Sequence, residues 1–250
     1  MVGLARRAGW RLTPVPPTLH LLDSVPSTQD RLHDLAASGD PAGTAVLAAE
    51  QTEGRGRRGR HWASPRGGLW LSVLCRPVAA PALEVLSLRV ALAVLRVVEA
   101  RVATVALKLK WPNDLILDDR KLGGILCEAR WQGDAPAWVA VGIGLNLGNP
   151  IPVELARHAV GLAGYAPDMT PEALAPDLVA AVLAASRLDG ALSPVEVASF
   201  AERDWLRGRR IREPQAGIAD GINVEGLLRV RRDDGTLALV RSGTVVMGET

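Results

Sequence analysis

The residues best suited to chemistry lie in one short run, residues 54–60, which reads Gly-Arg-Gly-Arg-Arg-Gly-Arg and is followed at once by His61 and Trp62. Each arginine offers planar donors that can bind a carboxylate or a phosphate through two hydrogen bonds. The glycines between them lack a Cβ and permit tight turns. Because like charges repel and glycine loses much entropy when it is ordered, we expect this loop to be mobile alone and to close over a small anion.

The same run allows three other interpretations. Gly54, Gly56 and Gly59 form the outline of a dinucleotide-binding turn, but residues 62–68 contain a proline and paired glycines that cannot begin the required helix. No acidic residue lies about 20 positions further on, where that motif needs one. Arginine and glycine clusters also bind nucleic-acid backbones, and a charged loop can simply be solvated. On the run alone, these last two interpretations stay open.

A second candidate group is a turn and the glycine-flanked strand after it. The turn is Lys110–Asp114, and the strand carries Lys121, Gly123 and Gly124. Since burying an ammonium without a partner is costly, Lys121 is either a solvated edge lysine or a charge that reaches a phosphate or carboxylate. The glycines would let a ligand approach the backbone. Asp114 either completes the turn or holds Mg²⁺, which favours one or two carboxylates plus substrate phosphates.

A third, weaker signal is the segment Gly142–Asn146, which reads Gly-Ile-Gly-Leu-Asn. Two glycines inside a strand imply that something approaches the backbone closely. Asn146 either hydrogen-bonds the edge of a base or ends the strand.

Short strands and a few helices must position these groups. The brief connections between successive strands favour an antiparallel or mixed sheet over a doubly wound one. The final strands indicate a small β-barrel appended to an α+β domain. We predict helices over 28–38, 81–102, 171–188 and 194–205, and strands over 19–23, 44–50, 69–76, 105–110, 115–117, 121–131, 137–147, 224–232, 236–240 and 244–247.

The amino-acid composition argues against several classes of protein. The 250 residues are 48% hydrophobic, which supports a large core, and the net charge of +2 lacks the broad basic excess of a dedicated nucleic-acid binder. Both cysteines lie in apolar runs, which is typical of buried thiols in a reducing cytosol. No apolar run approaches the roughly 18 residues of a membrane span, and Met1–Arg11 lacks a signal-peptide core. The histidines show no metal-ligand spacing. We therefore expect a cytoplasmic protein.

These motifs resemble those of one family. Their order and spacing are similar to those of biotin protein ligases in the short form without an N-terminal DNA-binding domain. The resemblance covers about residues 20–250. It rests on residues 54–60 with Trp62, then Ser64-Pro65, Lys110–Asp114, Lys121–Leu126 and Gly142–Asn146.

The resemblance implies a fold and a reaction. The fold is α+β, of the class II synthetase type: a mixed, largely antiparallel sheet with packed helices in residues 1–205, and an SH3-like β-barrel in residues 206–250. Such ligases join biotin to ATP with Mg²⁺, giving biotinoyl-5′-AMP and pyrophosphate. They then pass biotin to one lysine of a biotin carboxyl carrier protein or domain. No DNA or membrane is implied, and a homodimer is compatible with the family.

The resemblance also implies which residues act. Ser27, Thr28 and Gln29 stand where the family has a Ser-Thr-Asn biotin contact, so the amide of Gln29 is one carbon longer. Lys121 matches the lysine near the biotin carboxylate and the α-phosphate, and Asn146 matches an adenine contact. The expected catalytic residues are Lys121, Arg57 and Asp114, with Asp114 also the expected Mg²⁺ ligand. The expected biotin-binding residues are Ser27, Thr28, Gln29, Gln51, Gly54, Arg55, Gly56, Arg57, Lys121 and Gly124. The expected ATP- and adenylate-binding residues are Arg58, Arg60, Trp62, Asn113 and Asn146.

Two rival functions remain. A ligase for lipoate or octanoate could share this fold, although the arginine loop is the biotin-specific part of the resemblance. A nucleic-acid-binding module would use the loop to contact phosphodiesters, with an affinity that falls steeply as salt rises. Only about 20 residues precede the first predicted strand, whereas a three-helix DNA-binding domain needs roughly 50, so we expect no such domain.

Overall fold

A seven-stranded sheet forms the centre of the computed structural model, which describes residues 18–76 and 80–248. Its strands are β1 (Leu19–Val25), β2 (Ala45–Gln51), β3 (Leu69–Cys75), β4 (Lys108–Lys110), β5 (Asp114–Leu117), β6 (Arg120–Gln132) and β7 (Ala135–Leu145). They lie in the order β1-β2-β3-β7-β6-β5-β4. Only β1 and β2 run parallel; the other neighbours are antiparallel. The predicted mixed, largely antiparallel sheet is confirmed.

The helix α1 (Thr28–Ala37) packs on one face of this sheet. Ser27 is its N-cap, with an extended backbone and a hydroxyl that accepts a hydrogen bond from the Gln29 N–H at 3.3 Å. Leu32 and Leu35 are buried in an apolar cluster with side chains from β2, β3 and β7. The cap and this buried stripe confirm the predicted start of the helix and place its first turn against the sheet.

Three further helices pack around the main core: α2 (Ala80–Arg101), α3 (Pro171–Ser186) and α4 (Pro194–Arg203). α2 contacts α3 and the strands β4, β5 and β6, which explains why it is apolar around most of its surface. Arg89 of α2 is buried, and its guanidinium donates to Glu196 at 2.7 Å and to the carbonyl oxygen of Ala191 at 2.6 Å. These bonds compensate the buried charge and join α2 to α4.

The C-terminal part forms a second, five-stranded antiparallel sheet: β8 (Arg210–Glu213), β9 (Gly217–Ile222), β10 (Leu228–Arg231), β11 (Leu237–Val240) and β12 (Val246–Met247). Its order is β11-β10-β9-β8-β12. The predicted small C-terminal β domain is therefore present, but as an open sheet instead of a closed barrel, because β11 and β12 are separate edges among the described residues. β12 is two residues long and pairs with β8, which leaves it too short to close the sheet. The predicted hairpin of β10 and β11 is confirmed.

One buried side chain ties this smaller sheet to the larger one. The indole N–H of Trp111, in the turn between β4 and β5, donates to the carbonyl oxygen of Gly226 at 2.9 Å. Gly226 has φ +72°, and a Cβ there would lie 2.9 Å from Leu88 of α2. The two sheets are thus in close contact, while the domain boundary at residue 205 stays a prediction.

Smaller differences concern the ends of elements. The predicted strand over 105–110 is paired only at Lys108–Lys110, and β8 and β9 were not individually predicted. Cys75 is buried, Cys127 is half-buried, and neither forms a disulfide. Met1–Arg11 lies outside the described residues. Within the described part of the chain, no helix combines the length and apolarity needed to cross a membrane.

Candidate active site

A cavity of about 300 Å³, here called the main cavity, lies where α1, the arginine loop and strands β3, β6 and β7 meet. Every predicted site residue lines it except Gly54, Arg58 and Asp114. The residues that do line it are Ser27, Thr28, Gln29, Gln51, Arg55, Gly56, Arg57, Arg60, Trp62, Asn113, Lys121, Gly124 and Asn146. The fold therefore brings together three motifs that are far apart in the chain.

One side of the main cavity is a neutral network of hydroxyl and amide groups. The backbone N–H and the hydroxyl of Thr28 both donate to Gln51 Oε1, at 2.9 and 3.0 Å. The Thr28 hydroxyl also shares a hydrogen bond of 2.8 Å with Ser72 Oγ, and Gln51 Nε2 donates to Ser64 Oγ at 2.8 Å. Sequence reasoning missed Ser72, although a lone serine in the apolar strand β3 was a usable signal. This side suits a neutral, polar ligand group.

Gln29 presents an unused acceptor to this network. Its side-chain Nε2 donates to the carbonyl oxygen of Leu126 at 2.9 Å, which fixes the direction of the amide. Its Oε1 is buried and has no hydrogen-bond partner among the described residues. A buried acceptor without a donor costs free energy, so an N–H or O–H group of a ligand or water that donates to this atom would be favourable.

Gly142 and Gly144 make room for side chains of the protein itself. A Cβ on Gly142 would lie 2.6 Å from Gln29 Nε2, and one on Gly144 would lie 2.9 Å from Trp62 Nε1. The close approach predicted from these glycines is thus real, but the groups that approach are Gln29 and Trp62. The glycines shape the cavity through its walls.

The opposite side of the main cavity carries positive charge. Lys121 Nζ lies 2.6 Å from Asp114 Oδ1 and 4.8 Å from the centroid of the Trp62 ring. Both partners of this ion pair are only partly exposed, at 30% and 21%. Lys121 is therefore held between a carboxylate and an aromatic face within the cavity, unlike a freely solvated edge lysine.

Arg57 is a second cation on this side, and it lacks a carboxylate partner among the described residues. One of its nitrogens lies 3.4 Å from Asn113 Oδ1, and Asn113 Nδ2 donates to the carbonyl oxygen of Ile125 at 2.7 Å. Burial, and then the neighbouring charge of Arg58, lower the pKa of the Arg57 guanidinium. An anion bound here would offset both effects.

Arg55 differs from Arg57 because its guanidinium already pairs with carboxylates of the protein. Its guanidinium donates to the two oxygens of Asp30 at 2.6 and 2.7 Å and to Glu128 at 3.4 Å. The hydrogen bonds from Arg55 lower the pKa of Asp30. Arg55 thus anchors the loop to α1 and β6, and its contact with biotin stays a prediction.

The arginine loop also holds itself through backbone bonds. The Gly56 N–H donates to the Arg60 carbonyl at 2.7 Å, and the Trp62 N–H donates to the Gly54 carbonyl at 2.8 Å. Arg58 adopts φ +61° in a single turn and does not line the main cavity. A Cβ on Gly54 would lie 2.4 Å from Ser64 Oγ, so this glycine is required by the packing of the loop. Whether the loop is mobile without a ligand stays a prediction.

The far end of the main cavity contains two amides. Asn149 Nδ2 donates to Asn146 Oδ1 at 3.2 Å, and its Oδ1 accepts the N–H of Leu147 at 3.1 Å. Both asparagines are nearly buried. The segment after them, residues 150–159, lines this end with mainly apolar side chains and was not predicted as part of the site. A planar group with hydrogen-bonding edges fits such surroundings.

Asp114 is the only predicted metal ligand, and its surroundings limit how a cation could bind. Among the described residues there is no group of three or more His, Cys, Asp or Glu side chains that could hold a metal. A single carboxylate is nevertheless enough for Mg²⁺ when the other ligands are waters and substrate phosphates. The residues present therefore fit a Mg²⁺ ion that arrives with a nucleotide.

Comparisons with known proteins identify the family that this chain is similar to. The sequence model of the biotin/lipoate A/B protein ligase family matches residues 21–146. The biotin--[acetyl-CoA-carboxylase] ligase of Mycobacterium tuberculosis is 35% identical over 251 residues, covering 96% of this chain and 87% of that protein. The bifunctional ligase/repressor BirA of Bacillus subtilis is 35% identical over 188 residues, covering 65% of this chain, while the chain spans only 57% of that protein's length.

A solved structure extends the similarity to the fold. The biotin protein ligase from Aquifex aeolicus, in complex with biotin and ATP, has a TM-score of 0.78 and 26% sequence identity to this chain. The match covers 92% of this chain and 99% of that one. On the extent of these matches, the chain belongs to the biotin/lipoate A/B protein ligase family.

Proposed function

We propose that this protein is a biotin protein ligase: it activates biotin with ATP to biotinoyl-5′-AMP and then transfers biotin to a lysine of a carrier protein. The observation that carries the proposal is the composition of the main cavity. Its neutral hydrogen-bonding residues, here called the neutral niche, lie beside two cations, Lys121 and Arg57. The neutral niche consists of Thr28, Gln29, Gln51 and Ser72. The biotin and ATP bound to the Aquifex aeolicus relative support the same pair of substrates.

The neutral niche favours biotin over the acyl chains of the rival ligases. The ureido ring of biotin has N–H donors and one carbonyl acceptor. Gln29 Oε1 is a buried acceptor without a donor among the described residues, so it can accept a hydrogen bond from one of these N–H groups. Lipoate and octanoate have no N–H group, so either one would leave Gln29 Oε1 unsatisfied. A site built to hydrogen-bond a ligand group rejects analogues that lack it.

In the first step, an oxygen of the biotin carboxylate attacks the α-phosphorus of ATP. A new P–O bond forms, the bond from that phosphorus to the bridging oxygen breaks, and the electron pair leaves with pyrophosphate. Two anions meet in this step, so fixed positive charge lowers the barrier. Lys121 and Arg57 supply that charge, and Trp62 and Asp114 hold the ammonium of Lys121 in place.

A Mg²⁺ ion would be held by Asp114 together with phosphate oxygens and would neutralise part of their charge when bound. Asn146 and Asn149, with the apolar segment after them, would hold the adenine ring. The adenine assignment follows from the donor and acceptor types that line that end of the main cavity, and the assignment of Asp114 follows from its carboxylate next to Lys121.

In the second step, the ε-amine of the carrier lysine attacks the acyl carbon of biotinoyl-AMP. The amide C–N bond forms, the bond from the acyl carbon to the phosphate oxygen breaks, and AMP leaves with the electron pair while the amine loses a proton to solvent. No covalent protein intermediate is needed. The arginine loop excludes water from the adenylate until the carrier arrives. The name of the Mycobacterium tuberculosis relative favours the carrier domain of acetyl-CoA carboxylase as the acceptor.

Calorimetric titration tests the choice of substrate. Biotin should bind, and binding should tighten when a non-hydrolysable ATP analogue is present, whereas lipoate and octanoate should bind far more weakly. Biotin-dependent exchange between labelled pyrophosphate and ATP tests the first step. Exchange that depends on lipoate or octanoate instead of biotin would overturn the proposal, as would salt-resistant binding of nucleic acid that biotinoyl-AMP does not displace.

A further inference from the structure

The arginine loop, between β2 and β3, is a short two-stranded ribbon. Backbone hydrogen bonds of 2.7 to 2.9 Å join its two sides, from Gln51 to Ser64, from Trp62 to Gly54 and from Gly56 to Arg60. Residues 54–56 and 60–62 are here called the stem, and residues 57–59, which form a single turn, are called the tip. Because a two-stranded ribbon is marginally stable by itself, the stem needs a contact with the rest of the protein.

Arg55, in the stem, makes that contact with two other elements. Its guanidinium donates to both oxygens of Asp30, in the first turn of α1, at 2.6 and 2.7 Å. It also lies 3.4 Å from Glu128 of β6. Two parallel bonds to one carboxylate make a strong and directional ion pair. Within the described part of the chain, Arg55 is the one loop residue that pairs with a carboxylate, so it is the ionic anchor of the stem.

Glu128 is itself oriented by His33 of α1. Trp138 of β7 donates its indole N–H to His33 Nδ1 at 2.9 Å, so the proton of the neutral imidazole is on Nε2. That nitrogen lies 3.7 Å from Glu128 Oε2. His33 and Arg55 lower the pKa of Glu128, which keeps the carboxylate charged. The anchor of the stem is therefore connected to α1, β6 and β7.

The stem carries Trp62, and the ring of Trp62 lies against Lys121. The ammonium nitrogen is 4.8 Å from the centroid of the ring, a distance at which an aromatic face attracts a cation. In the ribbon, Trp62 is bonded to Gly54, the residue next to Arg55. A displacement of Arg55 would therefore move the ring relative to the ammonium of Lys121.

We propose that Arg55 is a positioning residue: its pairs with Asp30 and Glu128 hold the stem in place before substrates bind, so that Trp62 already orients Lys121. This inference rests on the function proposed above, in which Lys121 acts on the α-phosphorus. The guanidinium of Arg55 then has its partners within the protein and needs no contact with biotin. The mobility expected from the composition of the loop is confined to the tip, which closes over the adenylate.

Hydrogen exchange of the ligand-free protein, followed by NMR, tests the anchor without any turnover. In the unmodified protein the amides of Gly56 and Trp62 should be protected, and the amides of the tip should exchange freely. R55Q should remove the protection. R66Q is the matched control and should keep it, because it breaks an exposed two-bond pair with Asp23 outside the main cavity. Stem amides that exchange as fast as the tip, or full protection in R55Q, would overturn the proposal.

Biotin-dependent exchange between pyrophosphate and ATP separates positioning from a direct contact with biotin. R55Q should lower kcat about tenfold and leave the KM for biotin nearly unchanged, because the neutral niche stays intact. R55K should recover part of the loss, since an ammonium keeps the charge without the two-bond geometry. The reversed pair D30R/R55D should recover most of the kcat lost in R55D, because an ion pair holds the stem in either direction and a ligand contact does not.

Two kinetic results would contradict the assignment of Arg55. One is a KM for biotin that rises about tenfold in R55Q at unchanged kcat, which is the signature of a lost ligand contact. The other is a reversed pair no more active than R55D. An absence of exchange between pyrophosphate and ATP in the unmodified protein would overturn the proposed function, whereas amide protection measured without ligand would still decide whether Arg55 anchors the stem.

Discussion

Replacing Lys121 by alanine should slow adenylate formation about a hundredfold or more. The ammonium lies inside the main cavity, 2.6 Å from Asp114, and its side chain is 30% exposed. Two unit charges 4 Å apart interact by about 4 kcal/mol at the effective dielectric of a protein surface. Partial exposure and the Asp114 carboxylate reduce this to about 3 kcal/mol, which corresponds to roughly two orders of magnitude in rate.

The assay must separate the two steps of the reaction. Biotin-dependent pyrophosphate exchange reports adenylation, and single-turnover transfer from synthetic biotinoyl-AMP to a carrier domain reports the second step. Lys121→Ala should suppress the first and largely spare the second, because the charge acts on the attacked phosphorus. Lys108→Ala, an exposed lysine on β4, is the matched control and should change neither. Unimpaired exchange, or an equal loss in both steps, would refute the assignment of Lys121.

Three further predictions concern the loop, the niche and a buried acid. Arg57→Gly should release biotinoyl-AMP prematurely, so that an unrelated bystander protein becomes biotinylated. Arg58→Gly is the control and should not biotinylate the bystander, because Arg58 has φ +61° and does not line the main cavity. Gly142→Ala should weaken biotin binding at least tenfold in calorimetry, because its Cβ would lie 2.6 Å from Gln29 Nε2, and the shorter Gln29→Asn should restore part of the loss in the double variant. Burial raises the pKa of Asp204 from the ordinary 3.8 to about 6, so its neutral form stabilises the fold below pH 4 and that contribution is lost as pH rises through 6. Asp204→Asn should therefore increase the free energy of unfolding at pH 8 by at most about 3 kcal/mol and flatten its dependence on pH between 4 and 6, as measured by denaturant titration; an unchanged pH profile would contradict this reasoning.

The local chemistry of the site could be predicted from the sequence because it depends on residue types at short spacing. The arginine and glycine run concentrates positive charge in an otherwise balanced chain, and a lysine beside paired glycines is compatible with a charge near a ligand. The cap at Ser27 and the apolar stripe of α1 are also local properties, so the start of that helix was predicted correctly. The strands of the larger sheet were found for the same reason, with errors mainly at their ends.

Only the tertiary structure decided which groups meet and which charges remain free. Arg55 and Arg57 are equivalent in sequence, but Arg55 meets Asp30 from α1 while Arg57 meets no carboxylate in the described chain. Gly142 leaves room for the side chain of Gln29, more than a hundred positions earlier in the sequence. Arg57 and Arg241 line one cavity only because the smaller sheet packs against the rest of the chain. The smaller sheet is open because its edge strands β11 and β12 do not pair with each other in the part of the chain that the structure describes. Whether two distant edges pair is not encoded in any local sequence pattern, so the sequence could not predict it. Residue types alone therefore indicated a loop suited to anions, the family resemblance indicated the reaction, and long-range packing determined where each charge and acceptor lies.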